Sequence, residues 1–100
     1  MSQKFENLLN LALETPEAVR MRTGNLNVGY EALGRTWEVV VKYHDSIGSL
    51  VDYGILVEEL IAGYAILTVP EELIDLLVQV EQIEYVEKPK RYFFGAELPN

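Results

Sequence analysis

The stretch TWEVVVKYH, residues 36–44, decides the fold because its side chains alternate between two environments. Trp37, Val39, Val41 and Tyr43 are each separated by one residue. Successive side chains of a β-strand point to opposite faces, so this period of two predicts a strand with these four residues on one face. The opposite face would carry Glu38, Val40, Lys42 and His44.

The residues that follow show a short helix and then two strands. The helix is predicted to begin at Asp45 or Ser46 and to end at Gly54. Its inward residues would be Ile47, Leu50 and Val51. Residues 55–60 and 64–69 have the composition of strands, and the turn at Ala62-Gly63 is short enough to make them antiparallel.

A second helix is predicted between the third and fourth strands. Thr68 and Glu71 have the spacing of a capping box, and Pro70 fits the opening turn of a helix. A helical stripe extends to about Gln82, and the last strand begins at Ile83. The stripe consists of Leu73, Leu76, Leu77 and Val80.

This order of strands and helices predicts an α+β domain, a ferredoxin-like plait (βαββαβ). Its four-stranded antiparallel sheet would have two helices on one face, preceded by an N-terminal helical extension. In that extension a second helix would start at Thr15-Pro16-Glu17 and stop by Gly24, and residues 24–35 would be a loop. The first helix has the apolar stripe Phe5, Leu8, Leu9 and Ala12.

Composition excludes several classes of function. The formal net charge is −8, which argues against nucleic acid or an anionic membrane as the main partner. The sequence has no cysteine, so it has neither disulfides nor thiolate metal ligands. We expect no cofactor. No signal peptide is visible, which predicts cytoplasmic synthesis, with association with spores as a hypothesis.

Residues suited to catalysis are sparse. His44 is the single histidine, and it has no recognisable serine motif to work with. Glu58-Glu59 and Glu71-Glu72 are adjacent pairs, whose side chains diverge on either a strand or a helix. We therefore predict no catalytic residue, no metal site and no enzyme activity in this chain.

A basic and aromatic cluster follows the last strand. Lys88, Lys90 and Arg91 precede three aromatic residues, a composition found in nucleic-acid-binding segments. The acidic remainder of the chain opposes that interpretation. An alternative is that the rings pack back under the sheet. The aromatic residues are Tyr92, Phe93 and Phe94.

Two segments carry a resemblance to a known family. TWEVVVKYH and GYAILTVPEELIDLLVQVEQIEYVEKP (residues 63–89) resemble the propeptide domain of subtilisin-like serine proteases. The likeness includes an opening strand, a glutamate-rich helix and a closing V-x-x-V-E-type motif, here IEYVE. NLALETPEAVR, LNVGYE and IEYVEKPKRYFF are similar to the amino-terminal regions of such proteases in spore-forming anaerobes, including the germination proteases.

The resemblance implies roles for particular residues. Such propeptides assist folding of the protease domain and then inhibit it. Glu87 would dock by capping a protease helix, and Tyr92, Phe93, Phe94 and Gly95 would occupy the substrate cleft. The family often has an aspartate where this chain has Pro89, which leaves a second cap unassigned. Cleavage would fall near Gly95 or a few residues later.

The implied organisation has three parts. Residues 1–35 would be the helical extension, residues 36–94 the propeptide core, and residues 95–100 a tail near the processing site. The expected partner is a cognate subtilisin-like protease domain, in cis or in trans. A free-standing regulatory, ligand-binding or dimerising module of the same fold is the alternative, and homo-oligomer formation of the isolated chain stays open.

Overall fold

Residues 3–22 and 24–89 are described by a computed structural model, which shows an α+β fold. The sheet in this part of the chain has five strands, and every strand pairing is antiparallel. The strands are β1 (Tyr30–Glu31), β2 (Thr36–Tyr43), β3 (Leu56–Glu59), β4 (Tyr64–Pro70) and β5 (Ile83–Glu87).

The helices are short. Helices α1 (Asn7–Glu14), α2 (Glu17–Arg20) and α3 (Gly24–Asn27) precede the sheet. A 3₁₀ helix (Gly48–Tyr53) joins β2 to β3, and a 3₁₀ turn (Glu71–Leu73) with α4 (Leu76–Gln79) joins β4 to β5. Within the described ranges, no helix has the length and apolar character needed to span a bilayer.

Strand β2 is the centre of the sheet. One of its edges pairs along its length with β4, which in turn pairs with β3. Its other edge is shared: β1 pairs with Thr36 and Trp37, and β5 pairs with residues 40–43. Across the sheet, the order is therefore β1 and β5 in the first position, one after the other along the same edge of β2, followed by β2, β4 and β3.

The core lies between one face of this sheet and the helices. The predicted inward residues Trp37, Val39 and Val41 are fully buried, as the period of two requires. The helices contribute their own buried apolar side chains to the same cluster. Other members of the cluster are Phe5, Leu9, Ala12, Leu50, Ala65, Leu67, Val69, Leu77 and Val86.

The opposite face of the sheet is half-buried to exposed, and we call it the open face. It is defined by the register of the strands, since directly paired residues point to the same side. Its residues are Glu38, Val40, Lys42, Leu56, Glu58, Tyr64, Ile66, Thr68, Tyr85 and Glu87.

The start of the chain covers the outer edge of β5. Phe5 forms a parallel bridge with Val86. The Glu6 amide donates to the Val86 carbonyl at 2.8 Å, and the Val86 amide donates to the Lys4 carbonyl at 3.0 Å. These bonds satisfy backbone groups that an open sheet edge would leave unpaired.

Several predicted details are wrong. The sheet has five strands rather than four, because residues 24–35 contain α3 and β1 instead of only a loop. The first connection is a 3₁₀ helix, in which Leu50 is buried but Val51 is 57% exposed. A 3₁₀ helix has three residues per turn, so neighbouring residues diverge by a larger angle than in an α-helix.

Two further helix predictions also fail. Leu8 is 49% exposed and Phe5 precedes the helix, so Leu9 and Ala12 are the buried members of the predicted stripe that lie in α1. Thr68 belongs to β4, and the 3₁₀ turn that follows begins after Pro70 with no side-chain cap. The capping-box spacing was present, but pairing of β4 with β2 continues through Pro70 and takes Thr68 into the sheet.

A buried arginine ties the N-terminal helices to the sheet. Arg20 is 3% exposed. Its Nη1 donates to the carbonyl oxygens of Ala12 and Thr15, each at 3.1 Å, and its Nε donates to Asn27 Oδ1 at 3.0 Å. These carbonyls lie at the C-terminal end of α1, where a helix leaves acceptors without internal partners. Arg20 therefore closes that end of the helix.

The same guanidinium packs over two rings. Its Cζ lies 4.5 Å from the ring centroid of Tyr30 and 5.0 Å from that of Trp37. A cation over an aromatic face is attracted by the ring quadrupole, more strongly where water is excluded. Arg20 thus joins α1, β1 and β2 at one point.

We predict that Arg20→Met destabilises the fold by about 3 kcal/mol, because it removes charge-assisted hydrogen bonds to buried carbonyls. The free energy of unfolding from urea titration measures this loss. Arg22→Met, at an exposed neighbour, is the control and should change stability by less than about 0.5 kcal/mol. Equal stability of the two variants would contradict the structural role of Arg20.

Tyr30 gives a pH-dependent prediction. Burial, then the negative charges of Glu71 and Glu17, raise the pKa of Tyr30 above its ordinary value of 10.0. The folded chain thus holds this proton more tightly than the unfolded chain. The stability this provides is complete below pH 10 and is lost as the pH rises through the folded-state pKa.

Tyr30→Phe should therefore lose less stability than the parent chain as the pH rises above 10. Stability at neutral pH should be kept, since the buried Tyr30 hydroxyl has no hydrogen-bond partner among the described residues. Unfolding free energies at several pH values test this, with the exposed Tyr53→Phe as control. Identical pH profiles for Tyr30→Phe and the parent would contradict it.

Candidate functional site

The open face has an apolar centre. Val40 of β2 pairs directly with Ile66 of β4, so their side chains lie next to each other. Around them, Leu56 is 67% exposed and Tyr64 is 39% exposed. Contiguous exposed apolar side chains are typical of surfaces that contact another macromolecule.

Charge surrounds this apolar centre. Glu38, Glu58 and Glu87 lie on the open face with Lys42, whose Nζ is 5.6 Å from the Tyr64 ring centroid. Carboxylates thus outnumber ammonium groups on this face. A partner surface with hydrogen-bond donors or positive potential would complement it.

A cavity of about 300 Å³ opens where β5 ends. Its lining is mainly apolar, and one of the lining residues, Ile61, is 88% exposed. This cavity can accept an apolar side chain from a partner. Such a side chain would lie next to the carboxylate of Glu87. The lining residues are Val40, Leu60, Ile61, Tyr64, Glu87, Lys88 and Pro89.

Glu87, predicted from sequence as a docking residue, lies at the rim of this cavity. It is the last residue of β5, it pairs with Val40, and it is partly exposed. Its carboxylate thus stands beside apolar surface. A carboxylate in this position can accept hydrogen bonds from the free amides that begin a helix.

The predicted cleft residues Tyr92, Phe93, Phe94 and Gly95 lie outside the described residues. The described chain ends at Pro89, which is buried. Pro89 also lines the cavity at the end of β5.

The residues at this exit are held by the N-terminal extension. Lys88 is 4% exposed, and its Nζ donates to the Val28 carbonyl at 2.8 Å. The Lys88 amide donates to Glu6 Oε1 at 2.9 Å. The sequence does not indicate this role, because Lys88 adjoins the other basic residues after the strand. Its position directly after an apolar strand is the only sequence signal for its burial.

His44 and the two glutamate pairs lie in different parts of the fold. His44 Nδ1 lies 2.9 Å from Glu84 Oε2, and the side chain is 46% exposed. Glu58 and Glu59 are exposed, and Glu71 bonds Arg35 at 2.8 Å. Among the residues that the structure describes, no group of three metal-ligating side chains occurs.

Comparison with known proteins identifies the family of the chain. The family model described as "Csp protease B prodomain" matches residues 3–90. A solved structure titled "Structure of the Clostridium Perfringens CspB protease" is similar, with 26% identity and a TM-score of 0.51. That alignment covers 75% of this chain and 83% of the other chain. No curated protein sequence matches. The chain belongs to the Csp protease B prodomain family, a subtilisin-like prodomain of spore-forming anaerobes.

Proposed function

We propose that this prodomain is an intramolecular chaperone and a product-like inhibitor of a subtilisin-like catalytic domain. The open face docks on the protease, and the residues after Pro89 enter its substrate cleft. In this proposal the chain supplies a binding surface for the protease. The protease domain that such a prodomain implies is the partner, acting in cis or in trans.

The observation that carries this proposal is the apolar centre of the open face, which none of the helices in the described part of the chain covers. The helices pack on the other side of the sheet, so Leu56, Tyr64 and Ile66 have no need to be apolar for the stability of this chain alone. Burying them against a partner gains about 25 cal/mol per Å² of apolar surface removed from water. That gain would stabilise whichever protease conformation fits the face, which is how a prodomain assists folding.

The exit of the chain supports the inhibitory part. Residues 90–95 in extended form reach about 20 Å from Pro89, at roughly 3.3–3.6 Å per residue. This length allows Tyr92, Phe93 and Phe94 to reach a cleft beside the docked sheet. An extended peptide binds such a cleft through main-chain hydrogen bonds, and its side chains fill the pockets.

Glu87 is assigned to docking in this proposal. Its carboxylate, at the rim of the cavity, would accept hydrogen bonds from the first turn of a protease helix, and the helix dipole would favour its charge. An apolar residue of that helix would enter the adjacent cavity. Pro89 has no carboxylate, so Glu87 acts without a second capping acid at that position.

Two structural predictions belong to the proposal as well. The strand order β5, β2, β4, β3 with crossover segments after β2 and β4 supports a ferredoxin-like plait with an added strand, β1. The division at residue 35 into extension and core, with a processing segment at residues 95–100, is likewise proposed. The extension shares one apolar cluster with the core.

The tail is tested by replacing Tyr92, Phe93 and Phe94 together with alanine in the full chain. Loss of three rings should weaken inhibition of the cognate catalytic domain by at least about 100-fold, because buried aromatic anchors dominate binding energy. The inhibition constant against a peptide substrate is the measurement. Circular dichroism and urea unfolding confirm that the fold is kept. Undiminished inhibition would contradict cleft binding by the tail.

Glu87→Ala should weaken inhibition about fivefold, which corresponds to the loss of about 1 kcal/mol from a helix cap. The matched control is Glu81→Ala, which removes an exposed glutamate from the turn before β5. Equal inhibition constants for the two variants would show that Glu87 does not dock.

The open face is tested with Leu56→Glu. A charge in the apolar centre should weaken binding to the catalytic domain by about tenfold or more, because a charge would have to be desolvated there. Leu8→Glu, on α1 and 49% exposed, is the control and should bind as the parent does. Sedimentation of the isolated chain addresses the alternative function. A dimer abolished by Leu56→Glu, with no effect on the protease, would favour a self-associating module.

A further inference from the structure

The end of β5 is imposed by the N-terminal extension. In the register of β5 on β2, Glu87 pairs with Val40, so the next positions along β2 lie toward Glu38. The Glu38 amide already donates to the Gly29 carbonyl at 2.7 Å, and β1 takes Trp37 and Thr36. β5 cannot continue along this edge of β2, because residues 29–31 occupy it.

Pro89 lies next to Gly29, the first of the residues that occupy this edge. A methyl group placed on Gly29 would lie 3.0 Å from two Pro89 ring carbons and 2.8 Å from the Glu38 carbonyl oxygen. Gly29 has φ +96°, a conformation that favours glycine. The Pro89 ring therefore packs against the backbone of Gly29, which lies on the same edge of β2.

Lys88, the residue before Pro89, is held by two hydrogen bonds. Its ammonium binds Val28 O, one residue before Gly29, while its amide is held by Glu6. A lysine is rarely so deeply buried, and desolvating its charge is costly. A methionine would fill the space without that cost. The charge therefore adds directional hydrogen bonding rather than packing alone.

We infer that residues 6, 28 and 29 of the N-terminal extension act with Lys88 as an exit clamp that sets the direction in which the tail leaves the sheet. The inference rests on the proposed function in one respect only: the directed tail is the segment proposed to enter the protease cleft. Lys88 is then a positioning residue for inhibition, which acts through the tail and does not itself touch the cleft.

The first test measures the clamp without any protease. The chain has one tryptophan, Trp37, and no cysteine, so Arg91→Cys provides a unique site for a fluorescent acceptor. Time-resolved energy transfer from Trp37 gives the distribution of donor–acceptor distances. Lys88→Met should broaden this distribution relative to the parent. An unchanged distribution in a folded Lys88→Met protein would overturn the clamp.

The matched control is Lys4→Met. The Lys4 ammonium also donates to backbone carbonyls, those of Val78 at 2.9 Å and Val80 at 3.0 Å, but away from the exit. The Lys4→Met substitution therefore also removes ammonium-to-carbonyl hydrogen bonds, but it leaves the Lys88–Val28 hydrogen bond in place. Equal broadening in both variants would show a general loosening of the fold and would also overturn the clamp.

The second test separates positioning from general stability. Lys88→Met should weaken inhibition of the cognate catalytic domain about tenfold when the tail aromatics are present, as expected for loss of a charge-assisted hydrogen bond. It should cause no further weakening when Tyr92, Phe93 and Phe94 are alanine. The same factor in both backgrounds would mean that Lys88 supports docking of the sheet and not the tail.

The two tests fail in different ways. If the parent chain and its tail variant inhibit equally, the proposed function fails, whereas the distance distribution still reports on the clamp. If the tail variant loses inhibition but Lys88→Met has no effect on inhibition or on distances, the clamp fails and the proposed function stands.

Discussion

One edge of β2 serves two strands, and this constraint shapes the rest of the domain. β1 takes the first residues of that edge and β5 takes the last. Neither strand can lengthen without displacing the other, because each main-chain group bonds one neighbour at a time. The end of β5, the packing of Pro89 on Gly29 and the position of Glu87 in the lining of the cavity all follow from this division.

The shared edge also makes the N-terminal extension part of the fold. β1 reaches β2 only after the chain has passed through α1, α2 and α3, and Arg20 fastens these helices to Tyr30 and Trp37. Residues 4–6 return to cover the outer edge of β5. The helices therefore position β1, and residues 4–6 hold β5, on the same edge of β2. A prodomain shortened to the strands alone would lack this control.

One face of the sheet stabilises the fold, and the other is the face that we propose binds a partner. One face forms the core with the helices, and the open face keeps apolar side chains within a ring of carboxylates. A small domain gains little by leaving apolar surface in water, so such a face is best explained by a partner. A prodomain of this family implies a cognate protease domain as its partner, and the open face is where we propose that it docks.

The sequence predicted those parts of the molecule that periodicity controls. The alternation of Trp37, Val39 and Val41 predicted both strand and buried face, and the start of β5 at Ile83 is confirmed. β1 was missed because two residues are too short to show a period, and its pairing arises from tertiary structure. Arg20 and Lys88 were missed as buried residues because their hydrogen-bond partners are carbonyls, which sequence does not reveal.

Docking of the open face on the catalytic domain is tested most directly by methyl NMR of the isotope-labelled prodomain with an inactivated cognate catalytic domain. Selective shifts or broadening of Val40, Leu56 and Ile66, with unchanged methyls of Leu8 and Leu11 on α1, is the predicted result. Changes confined to the α1 methyls, with the open-face methyls unaffected, would contradict it.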